Sequence, residues 1–339
     1  MNATTKAVFG VDVAKQVFQV HTVDQETGEV ISKQLKRVKF LEYFANRTQC
    51  LIGMEACGGS QHWARALKAL GHNVKLMAGK QVKAFASGNK NDVADARAIW
   101  LAVQQAAIRP VAIKTEAQQA VLAMHRMRSQ QVKFRTAQIN GLRGLLGEFG
   151  EVMGLGRKPL NDGMPGALAR LAERLPAALI DTLRLQWEMV ARLDEQILQI
   201  EQKLLAWMRQ DKASKAISAI PGVGLLTATA AVATMGDPKA FRSGREFAAW
   251  LGLVPAQVGT GGRVRLLGIS KRGDTYLRTL LIHGARAVLY HAKEPGQWVQ
   301  ELGKRRPANV VIVALANKMA RIIWAMLAHD RAYESKYAK

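Results

Sequence analysis

The first strand-like segment constrains this chain most, because it carries a carboxylate. Residues 6–13 read Lys-Ala-Val-Phe-Gly-Val-Asp-Val, an apolar run of β-branched and aromatic side chains that predicts a buried strand. Asp12 stands near its end, and a carboxylate in a buried strand is costly unless it is paired or binds a metal ion. A simpler interpretation is that the strand ends here and Asp12 caps a turn. Three later segments favour the functional interpretation.

A mixed sheet is predicted for the first third of the chain. The predicted strands, in chain order, are residues 6–13, 16–23, 29–35, 50–55 and 73–77. Three antiparallel strands followed by alternating helix and strand predict a sheet with helices on its faces. The fourth strand ends in Glu55. Since functional groups gather at strand ends in such sheets, we expect Asp12 and Glu55 to face each other across neighbouring strands.

Two further carboxylates stand at the start of a predicted helix. Asp92 and Asp95 are three residues apart in a segment that predicts a helix through Ala106, so both side chains lie on one helical face. Acidic residues are also common in a first helical turn for capping and dipole reasons, which is the plain alternative.

The four carboxylates together suit two divalent ions. Mg²⁺ prefers oxygen ligands, and two ions about 4 Å apart would activate the attacking oxygen and stabilise the leaving one in phosphoryl transfer. His62, His72 and His125 are isolated in the sequence and are interpreted as surface or packing residues. The sequence therefore predicts two Mg²⁺ ions at these four positions.

The charge of the chain predicts a polyanionic partner. Its 339 residues carry 49 Lys and Arg against 26 Asp and Glu, a net charge of +23. Nucleic acid is the favoured partner. A membrane is not expected, because the apolar segment 310–327 is interrupted by Lys318 and Arg321. Only two cysteines and no signal-peptide pattern indicate a cytoplasmic protein without disulfides.

The middle of the chain predicts two long helical segments. Residues 115–149 form the first, and a glycine- and proline-rich stretch at 154–166 is expected to end it. Residues 167–208 form the second, with a break near Pro176. The second carries apolar residues at heptad spacing: Val190, Leu193, Ile197, Ile200, Leu204 and Trp207. This spacing is typical of a coiled-coil arm that pairs protomers or carries nucleic acid. The alternative is a helix packed on its own domain.

The last third contains a predicted helix-hairpin-helix unit. Ile220-Pro-Gly-Val-Gly224 separates two helical segments, and its glycines would let backbone N–H groups approach a phosphate closely. Gly222 and Gly224 are therefore candidate nucleic-acid contacts. A plain packing turn between two helices is the alternative.

A glycine-rich segment with a hydroxyl follows within a basic region. Residues 258–262 read Val-Gly-Thr-Gly-Gly, and the nearby basic side chains predicted to bind nucleic acid are Arg263, Arg265, Lys271 and Arg272. A flexible loop of this kind would either bind phosphates or present Thr260 as a nucleophile. The residues alone leave both interpretations open.

The ordered motifs resemble one known family. They are Gly10-Val-Asp-Val-Ala-Lys15, Met54-Glu-Ala56, Lys90-Asn-Asp-Val-Ala-Asp-Ala-Arg97, Ile220-Pro-Gly-Val-Gly224, Phe247-Ala-Ala-Trp-Leu-Gly-Leu-Val-Pro255 and Gly268-Ile-Ser-Lys-Arg-Gly273. In this order they resemble the DEDD-type insertion-sequence transposases, relatives of the Piv invertase. The resemblance extends from about Phe9 to about Leu281.

The resemblance implies an α/β plus α fold with three parts. These are an RNase H-like (RuvC-like) catalytic domain at 1–112, a coiled-coil arm at 113–210 and a mainly helical C-terminal transposase domain at 211–339. It also implies that a homo-oligomer, dimer or tetramer, recombines double-stranded donor and target DNA under the guidance of a bridge RNA. Two rival functions are a RuvC-like nuclease that hydrolyses branched DNA and a basic protein that only holds nucleic acid.

The resemblance also assigns residue roles. Asp12, Glu55, Asp92 and Asp95 match the four carboxylates of the family, position by position. A serine in the loop after the Leu-Val-Pro stretch is the family's nucleophile, thought to complete a site with the carboxylates of another protomer. Here Gly259 aligns with that serine, so the role is carried to Thr260, the only hydroxyl of the loop. Neither Ser243, before that stretch, nor Ser270, in the Ile-Ser-Lys motif, stands at the nucleophile's place.

Overall fold

The computed structural model describes residues 7–89 and 91–334. Lys6, at the start of the first predicted strand, and Lys90, in the motif before Asp92, lie outside the described residues. The chain divides into two units: one runs to Glu116 and includes Met235–Arg242, and the other comprises Ala117–Thr234 and the residues from Ser243 onward.

The first unit contains the predicted mixed sheet. Its elements are β1 (Val8–Val13), β2 (Val17–Val23), β3 (Val30–Lys36), α1 (Phe40–Ala45), β4 (Leu51–Glu55), α2 (Ser60–Ala69), β5 (Asn73–Met77), α3 (Gly79–Val82) and α4 (Asp92–Val103). The strand order is β3-β2-β1-β4-β5. β2 pairs antiparallel with β1 and β3, whereas β4 pairs parallel with β1 and β5. The prediction of a mixed sheet, with three antiparallel strands followed by alternating helix and strand, is confirmed.

Helices cover both faces of this sheet. Alternate residues of β1, such as Phe9 and Val11, pack with α1 and α2 in a core rich in edge-to-face aromatic contacts. Val8 of β1 and Leu51 of β4 point to the other face and pack against α4. The period of two along each strand thus divides the apolar side chains between two layers of helix.

The second unit is mainly helical, as predicted for the C-terminal region. Its elements are α5 (Glu116–Glu148), α6 (Arg157–Ala172), α7 (Ala177–Gln210), α8 (Lys212–Ile217), α9 (Leu225–Met235), α10 (Gly244–Trp250), β6 (Pro255–Thr260), β7 (Arg263–Ile269), α11 (Thr275–His291), α12 (Gln297–Gly303) and α13 (Ala308–His329). β6 and β7 form a two-stranded antiparallel sheet.

Helix α6 corrects the expectation of an irregular stretch at 154–166. The helix begins at Arg157, so most of that stretch is helical. Pro159 lies in its first turn, where a backbone N–H has no helical partner to lose. Leu160, Met164 and Leu168 are buried at a spacing of four. Burial of these apolar side chains on one face stabilises the helix despite the glycines and Pro165. Their spacing of four is the sequence signal that would have predicted the helix.

The heptad seam of α7 is buried within its own unit. Val190, Leu193, Ile197 and Leu204 are buried, and α5 lies antiparallel to α7 alongside them. Two salt bridges join these helices, Arg128–Glu201 and Arg135–Asp194, each at 2.6 Å. The heptad seam of α7 therefore packs against a helix of its own chain, which is the alternative that the sequence analysis left open.

Helix α13 is longer and more apolar than the sequence analysis allowed. By length and composition it could cross a membrane, despite Lys318 and Arg321, so the interruption argument was wrong. Its buried residues pack against neighbouring helices of the second unit: Val311, Ile312, Leu315, Met319, Ile323 and Met326. A core helix passes the same test, and 44% of the most apolar window is buried.

A buried histidine joins three helices of the second unit. His125 of α5 lies 3.0 Å from the Tyr276 hydroxyl of α11 and 2.9 Å from the Thr229 hydroxyl of α9. Thr229 donates its own proton to the Leu225 carbonyl, so its oxygen accepts from His125 Nε2, and Nδ1 accepts from Tyr276. Burial, and next the Arg128 charge, lower the pKa of His125 to about 4.

This pKa predicts an acid-sensitive second unit. Unfolded histidine titrates near 6.5, so between about pH 6.5 and pH 4 the unfolded chain binds a proton that folded His125 refuses. We expect the free energy of unfolding to fall by on the order of 3 kcal/mol across that window. His125→Gln should flatten the pH profile measured by urea unfolding, whereas exposed His291→Gln should leave it steep. Parallel profiles for both variants would contradict this assignment.

Candidate active site

Two of the candidate carboxylates end neighbouring parallel strands. The register pairs Gly10 with Gly53 and Val11 with Met54, so the next positions are Asp12 on β1 and Glu55 on β4. Both side chains are half-buried. Side chains at partner positions of two parallel strands point to the same face of the sheet. The backbone therefore places Asp12 and Glu55 on one face of adjacent strands, as expected from the sequence.

The face that carries these carboxylates is covered by α4. A Cβ atom built on Gly10 would lie 2.3 Å from the Ala96 carbonyl oxygen, and one on Gly53 would lie 2.7 Å from Val103 Cβ. Glycine is required at both strands because the helix lies directly on them. Asp12 and Glu55 are two residues beyond Gly10 and Gly53, and therefore emerge on the same side as α4.

The direction of α4 brings its first turn to the same end of the sheet. Gly10 contacts Ala96, whereas the Trp100 indole N–H donates to the earlier Val8 carbonyl at 3.2 Å. Helix α4 thus runs antiparallel to β1, and the first turn of the helix lies near the end of β1 that carries Asp12. Asn91 caps that start by accepting from the Ala94 N–H at 2.8 Å.

The first turn of α4 carries the other two carboxylates. Asp92 is exposed and Asp95 is half-buried. Capping is carried out by Asn91, so these aspartates are not needed as the cap residue. All four carboxylates therefore belong to one end and one face of the sheet.

Neighbouring residues respond to Asp12 and Glu55. Desolvation raises the pKa of the Cys57 thiol, and the negative charges of Glu55 and Asp12 raise it further. Gly79 leaves room for Glu55, since a Cβ there would lie 2.5 Å from its carboxylate oxygen. Within residues 7–89 and 91–334, however, no three His, Cys, Asp or Glu side chains converge closely enough to hold a metal ion.

The glycine-rich segment is a β-hairpin rather than the flexible loop expected from the sequence. Thr260 pairs with Arg263, and Gly261 and Gly262 form the two-residue turn between them. Both glycines have positive φ, 53° and 79°, as a type I′ turn requires. The Thr-Gly-Gly-Arg sequence between two strands was the available signal for this turn.

The hairpin has one basic face and one apolar face. Thr260 and Val258 share a face with their cross-strand partners Arg263 and Arg265. Val264 lies on the opposite face and is 60% exposed. Thr260 is itself exposed, so its hydroxyl stands at the tip of the basic face.

The structure separates Thr260 from the other candidate hydroxyls. A Cβ at Gly259 would lie 2.6 Å from the Arg263 carbonyl oxygen, so a serine at the aligned position would force the backbone apart. Ser243 caps α10 by accepting from the Glu246 N–H. The Ser270 hydroxyl oxygen is buried. Thr260 is thus the accessible hydroxyl among these positions.

Comparison with known proteins identifies the family. A model described as a transposase, of the DEDD type, matches residues 9–150, and a model of the IS116/IS110/IS902 transposase family matches residues 214–299. The chain is 47% identical over 329 residues to a probable family 20 transposase of Pseudomonas aeruginosa, covering 96% of this chain and 97% of the relative. It is 40% identical over 330 residues to the transposase for insertion sequence element IS1111A of Coxiella burnetii, covering 96% and 91%. The chain belongs to the IS110/IS116 family of insertion-sequence transposases.

Membership of this family settles the class of activity. The chain is an enzyme, a DEDD-type transposase, and its family generally uses divalent metal ions. The four carboxylates fall within the first matched segment, and Thr260 with the basic residues falls within the second. The reading of the chain as a basic protein without catalytic function is therefore excluded.

A buried arginine that sequence reasoning missed holds the basic segment of the transposase in place. The Arg278 guanidinium donates to the Leu251 carbonyl at 2.9 Å and to the Arg272 carbonyl at 2.7 Å. A Cβ at Gly252 would lie 2.3 Å from the Arg272 nitrogen, so the two segments touch through their backbones. Arg278 acts as a positioning residue for exposed Lys271 and Arg272. No spacing in the sequence distinguishes it from a surface arginine.

The predicted helix-hairpin-helix glycines have different surroundings. A Cβ on Gly222 would lie 2.7 Å from the Gly284 carbonyl oxygen of α11, so this glycine is explained by packing. Gly224 has open space around its Cα, and its carbonyl accepts from Ala228 at the start of α9. Packing therefore accounts for Gly222 and not for Gly224, and phosphate contact by Gly224 stays a prediction.

The close approach of α4 yields a prediction for the transposase. Gly10→Ala should push α4 off β1 and lower the free energy of unfolding of the first unit by about 1–3 kcal/mol, as overpacking does. Gly58→Ala is the matched control, because a Cβ there meets no atom within 4 Å. Thermal unfolding followed by calorimetry compares them. Equal stability of the two variants would show that Gly10 does not set the helix position.

Proposed function

We propose that this transposase cuts and rejoins double-stranded donor and target DNA with Asp12, Glu55, Asp92 and Asp95 as catalytic carboxylates and Thr260 as nucleophile. The carrying observation is the backbone placement of the four carboxylates at one end and one face of the sheet. Sequence spacing and family resemblance point to the same residues. Side-chain rotation would complete the convergence when metal ions and DNA bind.

The domain architecture belongs to the same proposal. The strand order β3-β2-β1-β4-β5 with α4 packed on β1 supports an RNase H-like domain at 1–112. The α8–α9 pair and its Pro-Gly-Val-Gly turn support a helix-hairpin-helix unit in the transposase domain at 211–339. The helices of 113–210 would be the coiled-coil arm of this proposal, with α5 and α7 as its antiparallel pair.

The donor set suits Mg²⁺. All four candidate ligands are carboxylates, and hard oxygen ligands are what this ion prefers. Asp12, Glu55, Asp92 and Asp95 would hold two ions, which when bound would lower the cost of deprotonating the attacking oxygen and stabilise charge on the leaving one. Without ions, four carboxylates at one end of the sheet repel each other.

The covalent step balances without a high-energy cofactor. The Thr260 hydroxyl oxygen forms a bond to phosphorus as it loses its proton to a nearby base, and the bond from phosphorus to one sugar oxygen breaks. The sugar oxygen leaves as a hydroxyl after taking up a proton. A sugar hydroxyl of the second DNA then attacks the phosphothreonine ester, which restores Thr260 and joins the strands.

Nucleic acid would be held mainly by the second unit. Arg263 and Arg265 flank Thr260 on the basic face, and exposed Lys271 and Arg272 lie on the segment that Arg278 fixes. The net charge of +23 suits donor DNA, target DNA and a bridge RNA at once. We further propose a homo-oligomer that acts in the cytoplasm.

The metal-ligand proposal predicts the effect of removing one carboxylate. Asp92→Asn should reduce Mg²⁺-dependent cleavage of DNA carrying the element's ends at least about a hundredfold, as loss of a group that stabilises transition-state charge does. Mn²⁺ binding, followed by electron paramagnetic resonance, should weaken in parallel. Folding should be unharmed, because like-charge repulsion is relieved.

Glu26→Gln provides the matched control for this variant. Glu26 is an exposed carboxylate of the β2–β3 turn, and the change removes the same charge from the same unit. It should cleave at the wild-type rate and bind Mn²⁺ equally well. Undiminished cleavage by Asp92→Asn would refute the assignment of the carboxylates.

The nucleophile proposal predicts a covalent adduct. A suicide DNA substrate should trap a phosphothreonine-linked protein–DNA complex, located by mass spectrometry at Thr260. Thr260→Ala should eliminate the adduct, whereas Thr260→Ser should retain or increase it, because a primary hydroxyl is less crowded. Ser270→Ala, which removes a buried hydroxyl, should form the adduct normally.

Two outcomes would contradict the role of Thr260. Recombination by Thr260→Ala at the normal rate would assign the attack to another group. Strand breakage by that variant without any adduct would indicate water as the nucleophile, the chemistry of a RuvC-like nuclease. Loss of adduct in both Thr260→Ala and Ser270→Ala would instead point to the packing of the hairpin base.

A further inference from the structure

A large groove in the second unit is not accounted for by the proposed catalytic residues. It encloses about 1530 Å³ beside α13, and its wall includes the start of α10 and the base of the β6–β7 hairpin. Ligand sites for small molecules usually occupy about 300–1,000 Å³. The lining residues of α13 run from Asn309 to His329, a length of about 30 Å along the helix. The dimensions suit an extended polymer.

The groove combines aromatic rings with positive charge. Trp298, Trp324 and Tyr333 are half-buried in its wall, and Lys318 Nζ lies 4.5 Å from the centroid of the Trp298 ring. Three exposed arginines stand among them, at Arg245, Arg321 and Arg331, against one exposed carboxylate, Glu334. Rings that stack on bases, interleaved with cations that meet phosphates, are the usual means of holding a single strand.

The groove also leads toward the candidate nucleophile. Pro255 at the start of β6 and Ile269 at the end of β7 line it. From Pro255 the strand rises over five residues to Thr260, a distance of about 17 Å. A nucleic-acid strand lying in the groove would therefore reach the base of the hairpin that carries Thr260.

A second copy of the chain is a poorer occupant. Each copy carries a net charge of +23, so an average surface of a second copy would repel the arginines of the groove, and the proposed homo-oligomer would form through other surfaces. Like charges brought together across an interface are costly. Phosphates, in contrast, would complement Arg321 and Arg331 directly.

We propose that this groove, here named the α13 groove, binds unpaired nucleotides, with bases stacked on Trp298 and Trp324 and phosphates held by Arg321 and Arg331. The inference rests on the proposed function, since it names a nucleic-acid partner of the same transposase. We commit to a separated strand of DNA as the occupant, because the groove reaches the base of the hairpin whose Thr260 is proposed to attack DNA. A single-stranded part of an RNA is the alternative that the test distinguishes. The chemistry that the two share is an exposed base and a phosphate.

Fluorescence anisotropy tests the proposal on the full chain. The probes are labelled oligouridylate and oligothymidylate of about 12 nucleotides, a length within the range of known single-strand binding sites. Trp298→Leu and Trp324→Leu should each weaken binding about tenfold, as loss of one stacking ring does. Trp187→Leu, which removes a partly buried tryptophan of the arm, should bind normally. Ultraviolet crosslinking should place adducts at Trp298, Trp324 or Tyr333.

Arginine variants keep the test independent of folding. Arg321→Gln and Arg331→Gln alter exposed side chains, and each should reduce the slope of log K against log salt by about 0.7. Arg184→Gln, an exposed arginine of α7, should leave the slope unchanged. Binding of the DNA probe as tight as that of the RNA probe, or tighter, would support a separated DNA strand. Tighter binding of the RNA probe would contradict that occupant and assign the groove to RNA.

Three results would overturn the proposal. The first is unchanged affinity for single strands in all the groove variants, and the second is crosslinks that map only outside the groove. The third is an affinity for duplex DNA that falls in the groove variants as much as the affinity for single strands does. None of these measurements involves DNA cleavage. The catalytic proposal is judged separately, by Asp92→Asn and Thr260→Ala, so failure of one is distinguishable from failure of the other.

Discussion

The direct contact between α4 and the sheet is the constraint on which the candidate active site depends. Gly10 and Gly53 lack side chains on the face where the helix lies, and a methyl group at either would collide with α4. A helix so close cannot slide without exposing its buried face. Its first turn is therefore held at the carboxyl ends of β1 and β4. Two glycines of the sheet thus help to decide where the carboxylates of the helix stand.

A comparable backbone contact organises the second unit. Gly252 packs against Arg272, Gly273 packs against Trp250, and Arg278 donates to carbonyl groups of both segments. A buried guanidinium satisfied by carbonyl oxygens fixes the base of the hairpin. The hairpin projects from that base. Its base is held by the backbone contacts of Gly252 and Gly273, and its exposed tip carries Thr260. This arrangement presents a reactive group on a firm support.

The sequence predicted the first unit better than the second unit. β1, β4 and α4 followed from short apolar runs bounded by turns, and Asp12 and Glu55 followed from their places at strand ends. The error at α6 arose because glycine and proline were weighed above the apolar period at Leu160, Met164 and Leu168. Gly284 and Arg278 act through contacts with residues distant in sequence. A single sequence carries no local signal for such contacts.

The form of the hairpin narrows how Thr260 can act. A phosphate-binding loop would offer a series of free backbone N–H groups, whereas ladder pairing between β6 and β7 engages the backbone up to Thr260 and Arg263. The Arg263 and Arg265 side chains, on the same face as Thr260, therefore offer the charged groups for a phosphate at this point. An isolated two-stranded hairpin is also marginal in water, and Val264 leaves an apolar face uncovered. The hairpin thus presents its arginines and Thr260 on one face and an exposed apolar face on the other.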